Sequence, residues 1–297
     1  MGRYVAIVNP AAGGGKCGKR APEALDRLRA AGLEVEPIET HAAGDGTKIV
    51  REKWAEGVRD FIAVGGDGTS FEVVNGLFPA ALDSRASLGF LPLGTGNSFL
   101  RDFTTEGAEH SIRALTTGQK RPCDVIRVEH RDGVLHYINL FSIGFVADVG
   151  AVTNRRFKPF GEAGYIFGVV TKVATLHHWQ FKMRVDGGAL DDGATTFVSI
   201  NNSRFTGGKM MMAPDADTGD GYADLIRVGP LGRVALLRTF PKIFKGTHVA
   251  HPAVTTTRVR HIDFELQDDV DVMVDGEVIR LLPHRLDVLA SAFDVRA

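Results

Sequence analysis

The stretch DFIAVGGDGTSFEVV, residues 60–74, decides how the first half of the chain is read. Its apolar run FIAV (61–64) has no polar break, as in a strand buried on both faces. Gly65 and Gly66 follow at once, with Gly68 one residue further on. Thr69 and Glu72 then form a capping-box pattern, which predicts a helix starting at Thr69. In a strand, glycine loop and helix of this kind, main-chain N–H groups face an anion, and missing Cβ atoms let it approach. Asp67 places a negative charge in that loop. Two tasks suit it: positioning Mg2+ between phosphates, or meeting an attacking hydroxyl. The alternative is a tight turn held by an Asx hydrogen bond.

The same alternation extends in both directions. YVAIV (4–8), LEVEPIE (33–39) and LGFLPL (88–93) read as further strands. PEALDRLRAAG (22–32), closed by Gly32, and GTKIVREKWAEG (46–57), closed by Gly57, read as helices, with TSFEVVNGLF (69–78) as a third. Strands alternating with helices predict a parallel sheet covered on both faces, with ligands beyond the carboxyl ends of its strands. Two more glycine loops lie at those ends. NPAAGGGKCGKR (9–20) satisfies G-x-G-x-x-G only formally, because four residues separate the strand from Gly13. It is not a Walker A loop either, since Pro10 stands at the first glycine position and Cys17 replaces the hydroxyl residue. Lys16 or Lys19 offers it a charge partner. PLGTGNSF (92–99) is the third loop, where Thr95 can contact nucleotide between Gly94 and Gly96. Three such loops at one end of one sheet predict a phosphate site.

From about Cys123 the period changes. CDVIRVEH, VLHYINLFSIG, FKMRVDG, TTFVSINN, YADLIRV, HIDFELQ, DVDVMVDG and EVIRLL read as strands joined by short turns. The Asp-Gly pairs at 132–133, 186–187 and 275–276 read as hairpin turns. Helical segments interrupt at GYIFGVVTKVATL and LGRVALLRTF. The second half is therefore expected to be a largely antiparallel β domain, sandwich or open barrel.

Bulk properties narrow the function classes. The formal net charge of −1 gives no global field to recruit nucleic acid. Two cysteines, Cys17 and Cys123, are too few for a disulfide framework or a zinc site and fit a reducing cytosol. The start, MGRYVAIVNP, has no signal-peptide pattern, and no apolar stretch approaches the roughly 20 residues needed to span a bilayer. A soluble cytoplasmic protein is expected.

Taken together, NPAAGGGK, VGGDGTSFEVVNGL and LPLGTGN, in this order and spacing, resemble the diacylglycerol kinase and sphingosine kinase family of lipid kinases. SIGFVADV, FGEAGYIFGVVTKVATL and VMVDGE extend the resemblance over nearly the whole chain. GGDGT alone would be shared with NAD kinases and phosphofructokinases. The resemblance implies an α/β nucleotide-binding domain (1–125) that binds ATP and a β-rich lipid-substrate domain (126–286). A C-terminal segment of about 287–297 would return to the first domain, with catalysis in the cleft. It implies nucleotide contacts from Asn9, Pro10, Ala11, Ala12 and Gly13, from Thr40, from Gly65, Gly66, Asp67, Gly68, Thr69 and Ser70, and from Thr95. It implies Asp275 and Glu277 as acidic catalytic residues, with Glu277 the proton acceptor.

APDADTGDGYADL (213–225) first suggests a calcium loop, but Asp220 stands where an EF-hand needs glycine and Ile226 where it needs glutamate. The resemblance implies a structural Mg2+ here, held by the Asp220 carboxylate and main-chain oxygens of Asp217 and Tyr222; the alternative is a solvated turn. Two positions depart from relatives. Bacterial diacylglycerol kinases usually carry aspartate where this chain has Ser98. Sphingosine kinases read ADVD where this chain reads ADVG, so Gly150 lacks the acid that meets an amine. Met210 to Met212 line an apolar cavity or simply pack. His177 and His178 end a helix rather than bind metal, and RRFKPF (155–160), with Lys158, suits contact with a phosphate or a lipid surface.

The function expected is ATP- and Mg2+-dependent transfer of the γ-phosphoryl group to a primary hydroxyl of a diacylglycerol-, ceramide- or sphingoid-type lipid, with peripheral contact at a membrane surface. No nucleic-acid partner is expected, and a homodimer stays open. The rivals are a soluble-substrate kinase of the NAD kinase type and a nucleotide- or lipid-binding protein without turnover.

Overall fold

A computed structural model describes residues 3–153 and 161–297. The segment RRFKPF, with Lys158, lies outside the described residues. The chain forms two units, residues 1–125 with 290–297, and residues 126–289.

In the first unit, β1 (Arg3–Val8), β2 (Glu34–Glu39), β3 (Asp60–Gly65) and β4 (Ser87–Pro92) form a parallel sheet. Its order is β2-β1-β3-β4, and Asp294–Arg296 adds a further parallel strand beside β4. Five of the six residues in each of β1, β3 and β4 are buried, as expected for strands covered on both faces. Four helices do the covering: α1 (Lys16–Ala30), α2 (Asp45–Ala55), α3 (Asp67–Leu77) and α4 (Ala108–Thr117). On α1, Cys17, Ala21, Ala24, Leu25 and Leu28 form a helical stripe against Tyr4, Ala6 and Val8. Ile7, on the opposite side of β1, faces α2 across Gly46. The order runs outward in opposite directions from β1 and β3, so the strand order reverses between their carboxyl ends.

The second unit is antiparallel. Its six-stranded sheet runs Val254–Val259, Ala223–Val228, Phe197–Asn201, Leu140–Gly144, Val270–Val274, Glu277–Leu281. A second group of strands pairs Met183–Val185 with Leu190–Asp191 and His261–Phe264. Phe141 of the six-stranded sheet lies 6.1 Å from Phe264 and 6.2 Å from Tyr137, ring centre to ring centre, so aromatic rings fill the space between the layers. Among the described residues, α5 (Phe145–Val152), α6 (Gly161–Val173) and α7 (Arg233–Thr239) complete the unit.

Three sequence-based expectations need correction. The helix expected from Pro22 starts at Lys16, because the Cys17 and Gly18 N–H groups bond to the Ala12 and Pro10 carbonyls. The first glycine loop therefore ends at Gly15, and Lys16 and Lys19 are exposed helix residues. The capping box does not form: α3 starts at Asp67 with Gly66 as an N-cap that carries no side-chain bond. Glu72 instead accepts the N–H groups of Gly44 and Gly46, both at 2.8 Å, at the start of α2. Finally, the run 134–144 is two strands, Gly133–Tyr137 and Leu140–Gly144, because the intervening N–H groups turn to a carboxylate, that of Asp275.

Candidate functional site

The three glycine loops of the first unit meet in space. The Asn9 N–H donates to the Val64 carbonyl at 3.0 Å, tying the first loop to the end of β3. The Gly94 N–H donates to the Gly65 carbonyl at 2.7 Å, tying the third loop to the second. A Cβ on Gly94 would lie 2.5 Å from the Gly66 nitrogen, so no other residue fits there without moving main chain. Gly13, Gly14 and Gly15 all have positive φ, which lets the first loop fold back on itself. Within it, Asn9 Oδ1 accepts the Ala11 N–H at 3.1 Å. Thr40, at the end of β2, is buried and donates its N–H to the Val8 carbonyl at 2.9 Å, beside the same strand end.

The Thr69 and Ser70 N–H groups of α3 bond to the Gly66 carbonyl at 3.0 and 3.2 Å, and no side chain caps the Asp67 and Gly68 N–H groups that precede them. They face the junction of the loops with the positive end of the helix dipole, an arrangement that fits phosphate oxygens. Thr69 and Ser70 are buried beneath this turn, and Thr69 Oγ1 has no partner among the described residues. Under the second and third loops lies a small cleft, lined in part by Gly66, Asp67, Ser70 and Asn97.

Asp67 makes neither an Asx turn nor a free contact. Both of its oxygens accept the Ser98 N–H, at 2.8 and 3.0 Å. Loss of hydration raises its carboxyl above the ordinary carboxylate range, and hydrogen bonds from Ser98 and Phe99 pull it back in part. A Cβ on Gly96 would lie 2.6 Å from Asp67 Oδ2, so the third loop wraps closely around this acid. Ser98, a fully buried residue whose main chain binds Asp67, has a part that its side-chain type could not reveal.

The second unit holds Asp275 and Glu277 on the hairpin between Val270–Val274 and Glu277–Leu281. Asp275 and Gly276 both have positive φ, as a tight hairpin turn requires. Glu277 is exposed. Asp275 is not: it is 1% exposed, and its carboxylate accepts the N–H groups of Ile138, Asn139 and Leu140 at 3.0–3.1 Å. Asp186, in another Asp-Gly hairpin, similarly accepts the N–H groups of Arg260 and His261. Asp275 thus anchors the turn that carries Glu277.

Asp217, Asp220 and Tyr222 lie in one exposed loop. Asp217 Oδ1 accepts the Gly219 N–H and Asp220 Oδ1 accepts the Tyr222 N–H, each at 3.0 Å. Asp220 Oδ2 pairs with Arg258, whose guanidinium lies 4.1 Å above the Tyr222 ring. Among the described residues no group of three or more His, Cys, Asp or Glu side chains could hold a metal, so an ion here would take mainly main-chain oxygens. The residues nevertheless fit a hard cation. The donors are oxygens, and Asp224 is buried close enough to Asp220 and Asp215 that its pKa rises to about 6, from burial first and their charges second.

Beside α5, α6 and α7 lies an apolar cavity with about 490 Å3 of space not filled by protein, lined by Phe145, Tyr165, Val169, Met212, Leu236 and Phe240 among others. Met212 thus lines a cavity, while Met210 is buried in the adjoining core. His248 also lines it, and its Nε2 lies 3.0 Å from the Met212 carbonyl. A carbonyl only accepts, so Nε2 carries the proton and Nδ1 is an acceptor. That Nδ1 is buried without a partner among the described residues, and burial lowers the ring's pKa. Nothing in the sequence marked His248. Gly150 packs against the core: a Cβ there would lie 2.8 Å from Met273 Sδ and 3.1 Å from Val278 Cγ2, so a larger residue would need those side chains to shift. The His177 and Trp179 rings lie 3.8 Å apart, centre to centre, tilted by 45°, and His178 bonds to the Leu231 carbonyl.

Residues 3–128 match the family profile described as diacylglycerol kinase catalytic domain. Residues 139–297 match the profile described as YegS C-terminal NAD kinase beta sandwich-like domain. A diacylglycerol kinase of Mycobacterium tuberculosis (strain ATCC 25618 / H37Rv) is 28% identical over 99% of this chain and 95% of its own. One from Bacillus subtilis (strain 168) is 28% identical over 95% of this chain and 92% of its own. A crystal structure from Bacillus anthracis str. Sterne superposes with a TM-score of 0.78 at 25% identity, covering 99% of this chain and 96% of that one. The chain accordingly belongs to the diacylglycerol kinase family, whose members use ATP, and is a lipid kinase.

Proposed function

We propose that the protein transfers the γ-phosphoryl group of ATP to a primary hydroxyl of a diacylglycerol- or N-acyl sphingoid-type lipid. The observation that carries this reading is the apolar cavity of the second unit. Its lining is almost wholly apolar, as suits the hydrocarbon part of a lipid. A soluble dinucleotide acceptor would need a polar lining, whereas this one offers hydrocarbon apart from Tyr165, Thr239 and His248. The unpartnered His248 Nδ1 suits an O–H or N–H donor on the lipid.

In this reading the phosphates lie on the N-terminus of α3 and the first loop, with Thr40 and Thr95 as further nucleotide contacts. Main-chain N–H groups there hold the phosphoryl group in line and neutralise its charge. Glu277 accepts the proton of the lipid hydroxyl, whose pKa is too high for much alkoxide at neutral pH. Asp275 fixes the turn that presents Glu277. Asp67 holds the second and third loops in register and adds negative charge near the phosphates. Mg2+ on the phosphates would supply charge neutralisation, and the Asp217–Tyr222 loop would hold a structural ion.

Labelled ATP incubated with diacylglycerol, N-acyl sphingosine, sphingosine and NAD tests the reading. Label is expected in diacylglycerol or N-acyl sphingosine, with free sphingosine no better than its N-acylated form because Gly150 offers no acid to an amine. Label in NAD alone, or ATP binding with transfer to none of them, would overturn it.

A further inference from the structure

Among the described residues no helix is long and apolar enough to cross a membrane. The second unit nevertheless leaves large apolar side chains in water on three neighbouring elements. Ile166, Phe167 and Val170 are exposed on α6, Val234 and Leu237 on α7, and Phe244 on the 3-10 stretch Phe240–Lys245. Phe167 is 52% exposed, Val170 59% and Val234 60%, too much to count as the edge of a core. The same elements turn their other faces inward, where Tyr165, Val169, Leu236, Phe240 and Ile243 line the apolar cavity. An aromatic series joins the two sides. Tyr165 stacks on Phe240 at 6.4 Å, and Phe240 meets the exposed Phe244 edge-on at 6.0 Å.

Charge identifies what covers this face. Residues 229–252 contain Arg233, Arg238, Lys242 and Lys245 and no aspartate or glutamate, in a chain whose overall net charge is −1. All four bases are exposed, and none is ion-paired among the described residues. An apolar face bordered by unpaired cations, beside a hydrocarbon-lined cavity, matches an anionic bilayer: acyl region against the apolar side chains, headgroups against the bases.

We infer that the outer face of α6, α7 and Phe240–Lys245 docks onto anionic lipid bilayers and places the cavity beside the membrane from which the lipid enters. The inference rests on the lipid-kinase reading, but its test does not. Binding is measured without ATP, by flotation with vesicles of phosphatidylcholine alone or mixed with phosphatidylglycerol. Kinase activity is measured separately on a short-chain diacylglycerol dispersed in detergent.

The protein should float with the phosphatidylglycerol vesicles and stay behind with phosphatidylcholine, and binding should weaken as salt rises. The double variants Val234→Glu/Leu237→Glu and Lys242→Glu/Lys245→Glu should each lose tenfold or more of that binding while keeping activity in detergent within about twofold. The substituted side chains point away from the cavity lining, so the detergent assay also reports that the variants fold. Unchanged flotation in both variants would overturn the inference. So would a self-associated wild type that Leu237→Glu converts to monomer without loss of vesicle binding, because the face would then belong to a second copy of the chain. Loss of detergent activity in the wild type itself would instead sink the lipid-kinase reading and leave the docking result standing.

Discussion

The Ser98 N–H donates to both carboxylate oxygens of Asp67, at 2.8 and 3.0 Å, and so clamps the third glycine loop to the start of α3. An acid at the centre of a glycine loop thus has a structural partner of its own. Its charge and its shape are separable. Asp67→Asn retains an acceptor for Ser98 but removes the charge. Turnover is expected to fall about a hundredfold, within the range of electrostatic losses at reacting phosphates, while the melting temperature moves little. Turnover near that of the wild type would make Asp67 a loop clamp alone.

Asp275 should behave in the opposite way. Its carboxylate is the acceptor for three buried main-chain N–H groups. Each donor left unpaired costs about 1–3 kcal/mol, so Asp275→Ala should lose several kcal/mol in urea unfolding, together with activity. Asp275→Asn, with one acceptor oxygen, should fall between the two. A variant with an unchanged unfolding midpoint would show that the hairpin does not depend on this anchor.

The acidic loop makes stability depend on pH. Asp224 has a pKa of about 6 in the folded protein, raised by burial and then by Asp220 and Asp215, with Arg258 opposing. An unfolded aspartate titrates near a pKa of about 3.9. Between these values the folded state holds the extra proton, so stability should be greatest below about pH 4 as far as this group decides, and fall as pH rises to about 6. Asp224→Asn should remove that fall and melt higher than the wild type at pH 7. Mg2+ bound in the loop would favour the charged form, so it should flatten the wild-type curve and raise its melting temperature, an effect that Asp220→Ala should abolish. Parallel curves for wild type and Asp224→Asn, or melting indifferent to Mg2+ in every variant, would count against the site.

The fold class was legible because two periodicities divide the chain: buried apolar runs alternating with helices before Cys123, and turn-punctuated strands after it. The second glycine loop was legible because strand, glycines and helix follow one another without interruption. What stayed hidden depends on partners distant in sequence. Thr69 and Glu72 have the spacing of a capping box, yet Glu72 is taken by Gly44 and Gly46, which only the packing of α2 on α3 brings near. Asp275-Gly276 reads like any hairpin turn, and its three donors lie more than a hundred residues earlier. His248 carries no local pattern at all; its unpaired nitrogen becomes visible only once the cavity is formed. Gly150, by contrast, could be read as a missing acid, and a Cβ there would press on the Met273 and Val278 side chains.

The most direct test is lipid phosphorylation by Glu277→Gln, with ATP affinity measured on the same protein. Glu277 is exposed on a turn that Asp275 anchors, so the substitution removes an acid without leaving a buried group unpaired. The account predicts turnover lower by about a hundredfold or more, as expected when a general base is lost, with ATP affinity within a few-fold and unfolding unchanged. Combined with Asp67→Asn it should be scarcely worse than either change alone, as for groups that act as a unit. Wild-type turnover in Glu277→Gln would contradict the account, because no acid of this hairpin would then take part in moving the proton.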